Sequence, residues 1–279
     1  MNKIERLAFV INATKSGAVE LADLLAAVAQ NHGVTVRMTQ DYPIEAGFLE
    51  GQDACCVVGG DGTLLSVVPE SVSWNIPVFG INRGKLGFLA TYSVQEAQDE
   101  FENILQGDYC IVNRSILECD TKDGERSLAL NDAVIKSADV SRLIGLRVKC
   151  GDDLVTDYYS DGIIFSTPTG STAYNLSSGG PIVMPDASVL TMTPVCPHTL
   201  TNRSLVFSGN TELSVELLES AGNPFLTLDG SQRFHGEHHF PFKIKICKKA
   251  LPLLQPHTYS HFRILRKKLK WGNAEDSNS

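Results

Sequence analysis

Five residues, Gly59-Gly60-Asp61-Gly62-Thr63, join an apolar run, Ala54-Cys55-Cys56-Val57-Val58, to the segment Leu64-Leu65-Ser66-Val67-Val68. The first run reads as a buried strand and the last as the opening of a helix. Three glycines let backbone amides approach a phosphate, because no Cβ stands in the way. A carboxylate carries the wrong charge for such a loop unless it has a task there. It can receive a proton from an attacking hydroxyl, or hold a metal that neutralises phosphates. The combination points to phosphoryl transfer. Asp61 is the candidate reactive group, with Gly59, Gly60, Gly62 and Thr63 around a phosphate.

A second segment, Asp161 to Tyr174, repeats this logic. A strand runs into a turn rich in small hydroxyls, and the chain then enters a helix that Thr169 or Ser171 can cap. Alone, it is equally a well-capped helix start. Two such segments in one chain, with Gly179-Gly180 just after the second, favour a ligand. Between them Asn131-Asp132 follows the apolar Leu128-Ala129-Leu130. Polar groups that interrupt a buried strand are costly unless satisfied. This pair is either a surface bend or a strand end that offers hydrogen bonds to ribose hydroxyls.

Other patterns carry less. The charges of Arg83 and Lys85, after the strand ending at Ile81, could meet phosphate. The stretch Gly80 to Lys85 is one residue short of a P-loop, and Leu86 stands where Ser or Thr is required. No G-x-G-x-x-G follows a strand and no G-x-S-x-G elbow occurs. His235-Gly236-Glu237-His238-His239 lacks the H-E-x-x-H order, so no protein metal site is assigned there.

The elements that must position these groups fall into two styles. Leu7–Ile11, Val34–Met38, the run into Gly59 and Ile76–Ile81 read as strands. They alternate with a helix carrying Leu21, Leu24, Leu25 and Val28 on one face and stopped at Gly33, and with another marked by Ala97, Phe101, Ile104 and Leu105. That alternation predicts a parallel, helix-flanked sheet. From about Tyr109 strand follows strand, including a continuous one over Leu128–Ile135, with one short helix near Ser171–Ser177. This predicts a β-sandwich. A basic amphipathic helix over Tyr259–Trp271, with Phe262, Leu265 and Leu269 on one side, closes the chain. The expected plan is an α/β domain over 1–113 (Rossmann-like, parallel sheet), a β-sandwich over 114–254, and a C-terminal segment over 255–279 whose helix packs back on the first domain.

At 279 residues, two domains of ordinary size fit best. A net charge of -8 argues against nucleic acid or an anionic membrane as the main partner. The seven cysteines are odd in number and share no C-x-x-C spacing, which suits reduced thiols. With neither a signal-peptide pattern nor an apolar stretch of membrane-spanning length, the expected location is the cytoplasm.

Gly59 to Thr63, Asn82 to Leu89, Asn131-Asp132, Asp161 to Val183 and Thr193 to Leu200 together resemble the bacterial NAD kinase (ATP-NAD kinase) family, in the family's order. The block Thr167 to Tyr174 is the specific part; the first glycine motif is shared with lipid and sugar kinases of the wider superfamily. The resemblance implies transfer of the γ-phosphoryl group of ATP to the 2′-hydroxyl of the adenosine ribose of NAD, giving NADP. It implies a divalent metal ion (Mg2+ or Mn2+) with ATP, and a homo-oligomer, dimer or tetramer. It assigns Asp61 as proton acceptor, with Gly62 beside it at the NAD site. Asn131 and Asp132 match the polar pair that holds the dinucleotide, and Arg142 a basic contact to it. Asp161 matches a carboxylate that reaches ligand near the subunit interface. Thr172, Ala173, Tyr174, Asn175, Leu176 and Ser177 match the run beside the adenosine and nicotinamide parts. Where the family often has Asp-Gly-Gln, this chain reads Asp229-Gly230-Ser231-Gln232. Gln232 then matches a late polar contact, and Asp229 a metal helper. A lipid or sugar kinase of the superfamily, or a non-catalytic NADP(H) sensor on the same scaffold, are the alternatives.

Overall fold

Strands that are apolar along their whole length need cover on both faces, and the first part of the chain supplies it. In the computed structural model, which describes residues 3–83, 87–139, 143–199, 201–219 and 223–271, two compact units form: Met1–Asn113 with Leu251–Ser279, and Arg114–Ala250. The first unit begins β1 (Arg6–Ile11), α1 (Ala18–Asn31), β2 (Thr35–Thr39), β3 (Ala54–Gly59), α2 (Asp61–Trp74), β4 (Val78–Asn82), a two-residue β5 (Tyr92–Ser93) and α3 (Val94–Leu105). β1 pairs in parallel with β2 and β3, and β3 with β4, giving the order β2-β1-β3-β4.

Side chains alternate across a strand. Ala54, Cys56 and Val58 of β3 join the core under α1 and α3, built around Phe9, Leu25, Phe79 and Phe101. Cys55 and Val57 point to the opposite face and are equally buried. α1 differs from expectation in one residue. Its buried stripe runs Leu21, Ala22, Leu25, Ala26, Ala29, because small alanines let the helix lie close to the sheet, and this turns Leu24 outward. α3 starts on a capping box, Ser93 with Glu96, and buries Ala97, Phe101, Ile104 and Leu105.

The second unit is antiparallel. It contains β6 (Cys110–Asp120, its end), β7 (Arg126–Ala129), β8 (Asp132–Ser137), β9 (Ile144–Cys150), β10 (Asp153–Ser160), β11 (Gly162–Ser166), a 3-10 turn at Thr169–Thr172 and α4 (Tyr174–Ser177). Then come β12 (Val189–Val195), β13 (Leu205–Ser208), β14 (Glu212–Glu219), β15 (Pro224–Leu228), β16 (Ser231–His235) and most of β17 (Phe242–Gln255). One sheet has the order β13-β12-β11-β8-β15-β16. The other includes β10-β9-β14-β17. Ile135, Phe165 and Met192 from the first sheet share one core with Leu146, Val215 and Phe242 from the second, which makes the sandwich. The stretch over Leu128–Ile135, read as one strand, breaks into β7 and β8 at Leu130-Asn131.

The chain returns to the first unit at its end. Leu253 of β17 pairs in parallel with Val78 of β4, and α5 (His261–Leu269) follows. α5 is capped by Ser260 and buries Ile264 and Leu265, whereas Phe262, expected on its apolar side, is exposed. Among the described residues no helix is long and apolar enough to cross a membrane.

Candidate functional site

In the order β2-β1-β3-β4 the chain reverses its winding direction between β1 and β3. Ligands of open parallel sheets bind beyond the carboxyl ends of the strands at such a switch point. A cavity of about 700 Å³ lies there, and its wall includes Asn12–Lys15 after β1, Gln40–Tyr42 after β2, Gly59–Thr63 from the last residue of β3 into α2, Asn82 of β4, and Lys268 of α5. Gly60 is the N-cap of α2, and no side chain caps this helix. The positive end of α2 therefore faces the cavity with backbone donors available to an anion. Gly59 is required for space: a Cβ there would lie 2.5 Å from Thr63 Oγ1, which accepts a hydrogen bond from Asn12 Nδ2 at 3.1 Å.

Asp61 opens α2, and three backbone amides hold its carboxylate. Oδ2 accepts from Phe88 N (2.9 Å), and Oδ1 from Leu89 N (3.2 Å) and Ala90 N (2.9 Å). A carboxylate has about four lone-pair sites. Three are used, so Oδ2 keeps one for a further donor. Gly87 packs against this group: a Cβ at Gly87 would lie 2.5 Å from Asp61 Cγ and nearer still to Oδ1. Arg83 does not face a phosphate position. Its guanidinium donates to Ser16 O through Nε (3.0 Å) and NH2 (2.6 Å), bracing the loop after β1. Lys85 lies outside the described residues. The cations on the cavity wall are instead Lys15 and Lys268.

A second cavity, about 410 Å³, lies wholly in the sandwich unit and is lined by Asn131, Asp132, Lys136, Ala173, Tyr174 and Asp229 among others. Here the glycine-rich block meets the Asn-Asp pair. Thr167 N donates to Asn131 O (2.9 Å), Thr167 Oγ1 to Leu130 O (2.5 Å), and Gly170 lies so close that a Cβ would stand 2.6 Å from Asn131 Cα. Asp229 completes the corner. Its carboxylate accepts from Leu130 N (2.8 Å), Asn131 N (2.7 Å) and Asp132 N (3.2 Å). This explains the broken strand: the amides that leave the β ladder at Leu130–Asp132 find the half-buried Asp229 carboxylate instead. Asp229 does so from a left-handed φ of 49°, a conformation that Asp tolerates better than most residues.

Two carboxyl groups thus share one corner of the cavity wall, Asp132 buried and Asp229 half-buried. Burial pushes the Asp132 carboxyl up to about 7, the Asp229 charge adds to the rise, and the Tyr174 backbone amide and Lys136 oppose it. Burial also raises Asp229, against the pull of its three amides. Lys136 Nζ donates to Tyr174 Oη at 2.5 Å and sits 4.4 Å from the ring centroid, fixing one wall.

The other expected residues fall as follows. Asn175 is fully buried; its Nδ2 donates to Ser171 O and Pro181 O, and its Oδ1 accepts from Thr193 Oγ1. Its side chain therefore holds the turn together. Thr172 donates to Thr169 O, while Leu176 is half-buried and Ser177 exposed in α4. Asp161 is exposed at the turn between β10 and β11. Gln232 sits in β16 opposite Thr227. Arg142 lies outside the described residues. Sequence reasoning passed over Asn12, Lys15, Lys136 and Lys268. The first two were legible as polar residues just past the apolar end of β1, but Lys268 is one of several lysines on its helix.

Residues 44–109 match the family model described as the ATP-NAD kinase N-terminal domain, and residues 130–255 the one described as the ATP-NAD kinase C-terminal domain. The chain is 38% identical over 226 residues to the NAD kinase of Clostridium botulinum (strain Kyoto / Type A2), covering 80% of each. It is 42% identical over 231 residues to that of Syntrophobacter fumaroxidans, covering 81% of this chain and 82% of that one. Its fold is similar to that of yeast NADH kinase complexed with NADH, at TM-score 0.81 and 22% identity over 98% of this chain and 90% of that one. It is also similar to an NAD kinase from Archaeoglobus fulgidus in complex with ATP, at TM-score 0.77 and 23% identity over 96% and 100%.

Proposed function

The chain belongs to the ATP-NAD kinase family, and we propose that Asp61 accepts, through Oδ2, the proton of the adenosine-ribose 2′-hydroxyl of NAD as that oxygen attacks the γ-phosphorus of ATP. The activity is that of an ATP-dependent NAD kinase, a phosphotransferase that yields NADP. The match of residues 130–255 to the family's C-terminal domain sets aside the lipid- and sugar-kinase alternative. One observation carries the residue assignment: a carboxylate with one lone pair left on Oδ2 stands beside an uncapped helix start, on the wall of a cavity at the strand ends.

Each part then has a role. A ribose hydroxyl is a poor nucleophile at neutral pH, and a carboxylate in hydrogen-bond reach removes its proton as the new bond forms. The amides at the start of α2, with Gly59, Gly60, Gly62 and Thr63, hold donor phosphate. Lys15 and Lys268 balance its charge. Asn131 and Asp132, braced by Asp229, bind NAD in the second cavity, where Ala173 and Tyr174 form part of the wall. Asp41 puts a further carboxylate on the first cavity's wall, an oxygen donor of the kind Mg2+ or Mn2+ would use together with substrate phosphates. Such an ion, when bound, disperses the charge on the transferring group. All seven cysteines are thiols, which supports a reducing, cytoplasmic setting. A homo-oligomer, dimer or tetramer, belongs to the same reading.

The test is NADP formation from NAD and Mg-ATP, detected with an NADP-specific dehydrogenase. Asp61→Asn should keep the fold and NAD binding and lose roughly 10²-fold or more in kcat. A near-normal rate in that variant would remove Asp61 as the base. Tight NADP(H) binding with no turnover by the unaltered chain would favour the sensor alternative.

A further inference from the structure

Away from both cavities, the first unit carries a nucleophile, a base and an orienting carboxylate in line. Cys110 is the first residue of β6, and its Sγ lies 2.9 Å from His257 Nδ1. The other ring nitrogen, Nε2, lies 3.1 Å from Asp108 Oδ1. The fold brings them together from distant positions. Gly107, at φ 95°, ends the α3 turn and leads Asp108 and Cys110 into β6, while His257 stands two residues past the end of β17. A thiol within reach of an imidazole that a third group orients is the arrangement used to activate nucleophiles. The ring's geometry fits one tautomer: Nε2–H donates to Asp108, which leaves the Nδ1 lone pair toward the thiol. Reagents can reach the group, since the His257 and Asp108 side chains are 51% and 64% exposed and Cys110 is half-buried. Tyr92, on which Glu96, Glu100, Asp108 and Cys110 all act electrostatically, is a further ionisable group at this corner. Of the six other thiols, Cys55, Cys56 and Cys119 are buried, and burial pushes them up, which keeps them inert; burial also raises the half-buried Cys247, while Cys150 is half-buried and Cys196 exposed.

We infer that Cys110 is a thiol–disulfide exchange site for low-molecular-weight disulfides, activated by His257 and oriented through Asp108. In the step, His257 Nδ1 takes the proton from Cys110 Sγ, and the thiolate attacks one sulfur of R–S–S–R. The new Cys110–S–S–R bond forms as the old S–S bond breaks, and R–S⁻ leaves with the electron pair. The imidazolium then returns its proton to that thiolate. Cys110 sulfur is oxidised and the departing sulfur reduced, so the incoming disulfide is the only oxidant needed. Asp108 balances the charge on the ring throughout.

The experiment uses the full chain with limiting iodoacetamide, and in parallel with hydroxyethyl disulfide, following each cysteine by peptide mass spectrometry from pH 6 to 9. The exposed Cys196 is the internal reference in the same sample. At pH 7 Cys110 should react at least about 10-fold faster than Cys196, and its mixed disulfide should be released by dithiothreitol. His257→Asn should bring the Cys110 rate down to that of Cys196, with Asp108→Asn intermediate. If either variant fails to fold, the Cys110-to-Cys196 ratio in the unaltered protein decides by itself. Equal rates at pH 7, or an unchanged Cys110 rate in folded His257→Asn, would overturn the inference.

Discussion

Gly87→Ala is the sharpest probe of the proposed base, because it alters Asp61 without touching its chemistry. Gly87 has no left-handed φ, so alanine meets no backbone penalty there and the effect is one of space. The new methyl would lie 2.5 Å from Asp61 Cγ, whereas carbon atoms rest at about 3.5–4.0 Å. The carboxylate must therefore move by about 1 Å, and it loses register with the Phe88, Leu89 and Ala90 amides that now fix it. A misplacement of that size in a reacting group costs about 10²-fold in rate. The expected result is a roughly 10²-fold lower kcat in the NADP-formation assay, with NAD binding by calorimetry little changed. A double-mutant cycle isolates the cause. If the methyl acts by displacing Asp61, adding Gly87→Ala to Asp61→Asn should cost little more, since the base is already gone. Additive losses, or a kcat within threefold of the unaltered chain, would refute the reasoning.

Two further variants concern the second cavity. The Asp132 carboxyl is raised to about 7. A carboxyl raised on folding adds stability at low pH that is lost as pH climbs from its ordinary value through about 7, on the order of a few kcal/mol in all. Asp132→Asn should therefore raise Tm at pH 8 relative to the unaltered chain and leave it nearly unchanged at pH 4; equal Tm differences at both would count against the shift. With Asp132 as an acceptor for ribose hydroxyls, KM for NAD should also rise as pH falls below about 7 in the unaltered chain and become flat in the variant. Asp229→Asn removes one acceptor from three part-buried amides and a charge beside Asp132, at a cost of about 1.5–3 kcal/mol. It should lower Tm, raise KM for NAD roughly 10- to 100-fold, and move the KM–pH midpoint to lower pH, because the neighbouring charge that helps hold Asp132 neutral is gone. An unmoved midpoint would show that Asp229 serves the fold alone.

Much of this was written in local sequence. The apolar run into Gly59, the glycines around Asp61, the periodic Ala97–Leu105 helix and the serial strands after Tyr109 each announce themselves through short-range rules of side-chain alternation, helical spacing and backbone freedom. Those rules reach only a few residues along the chain. They could not show that Asn12, Lys15 and Lys268 share a cavity with Asp61, since strand order and the return of α5 set that neighbourhood. They also joined β7 to β8, because Asp229, nearly 100 residues away, is what satisfies the amides that break the strand. Arg83 looked like a phosphate ligand for the same reason: its charge was visible, but the Ser16 carbonyl it holds was not. Local propensity thus determined the elements and the reactive types. The tertiary structure alone decided which polar group meets which, because a buried donor or charge takes its partner from across the fold.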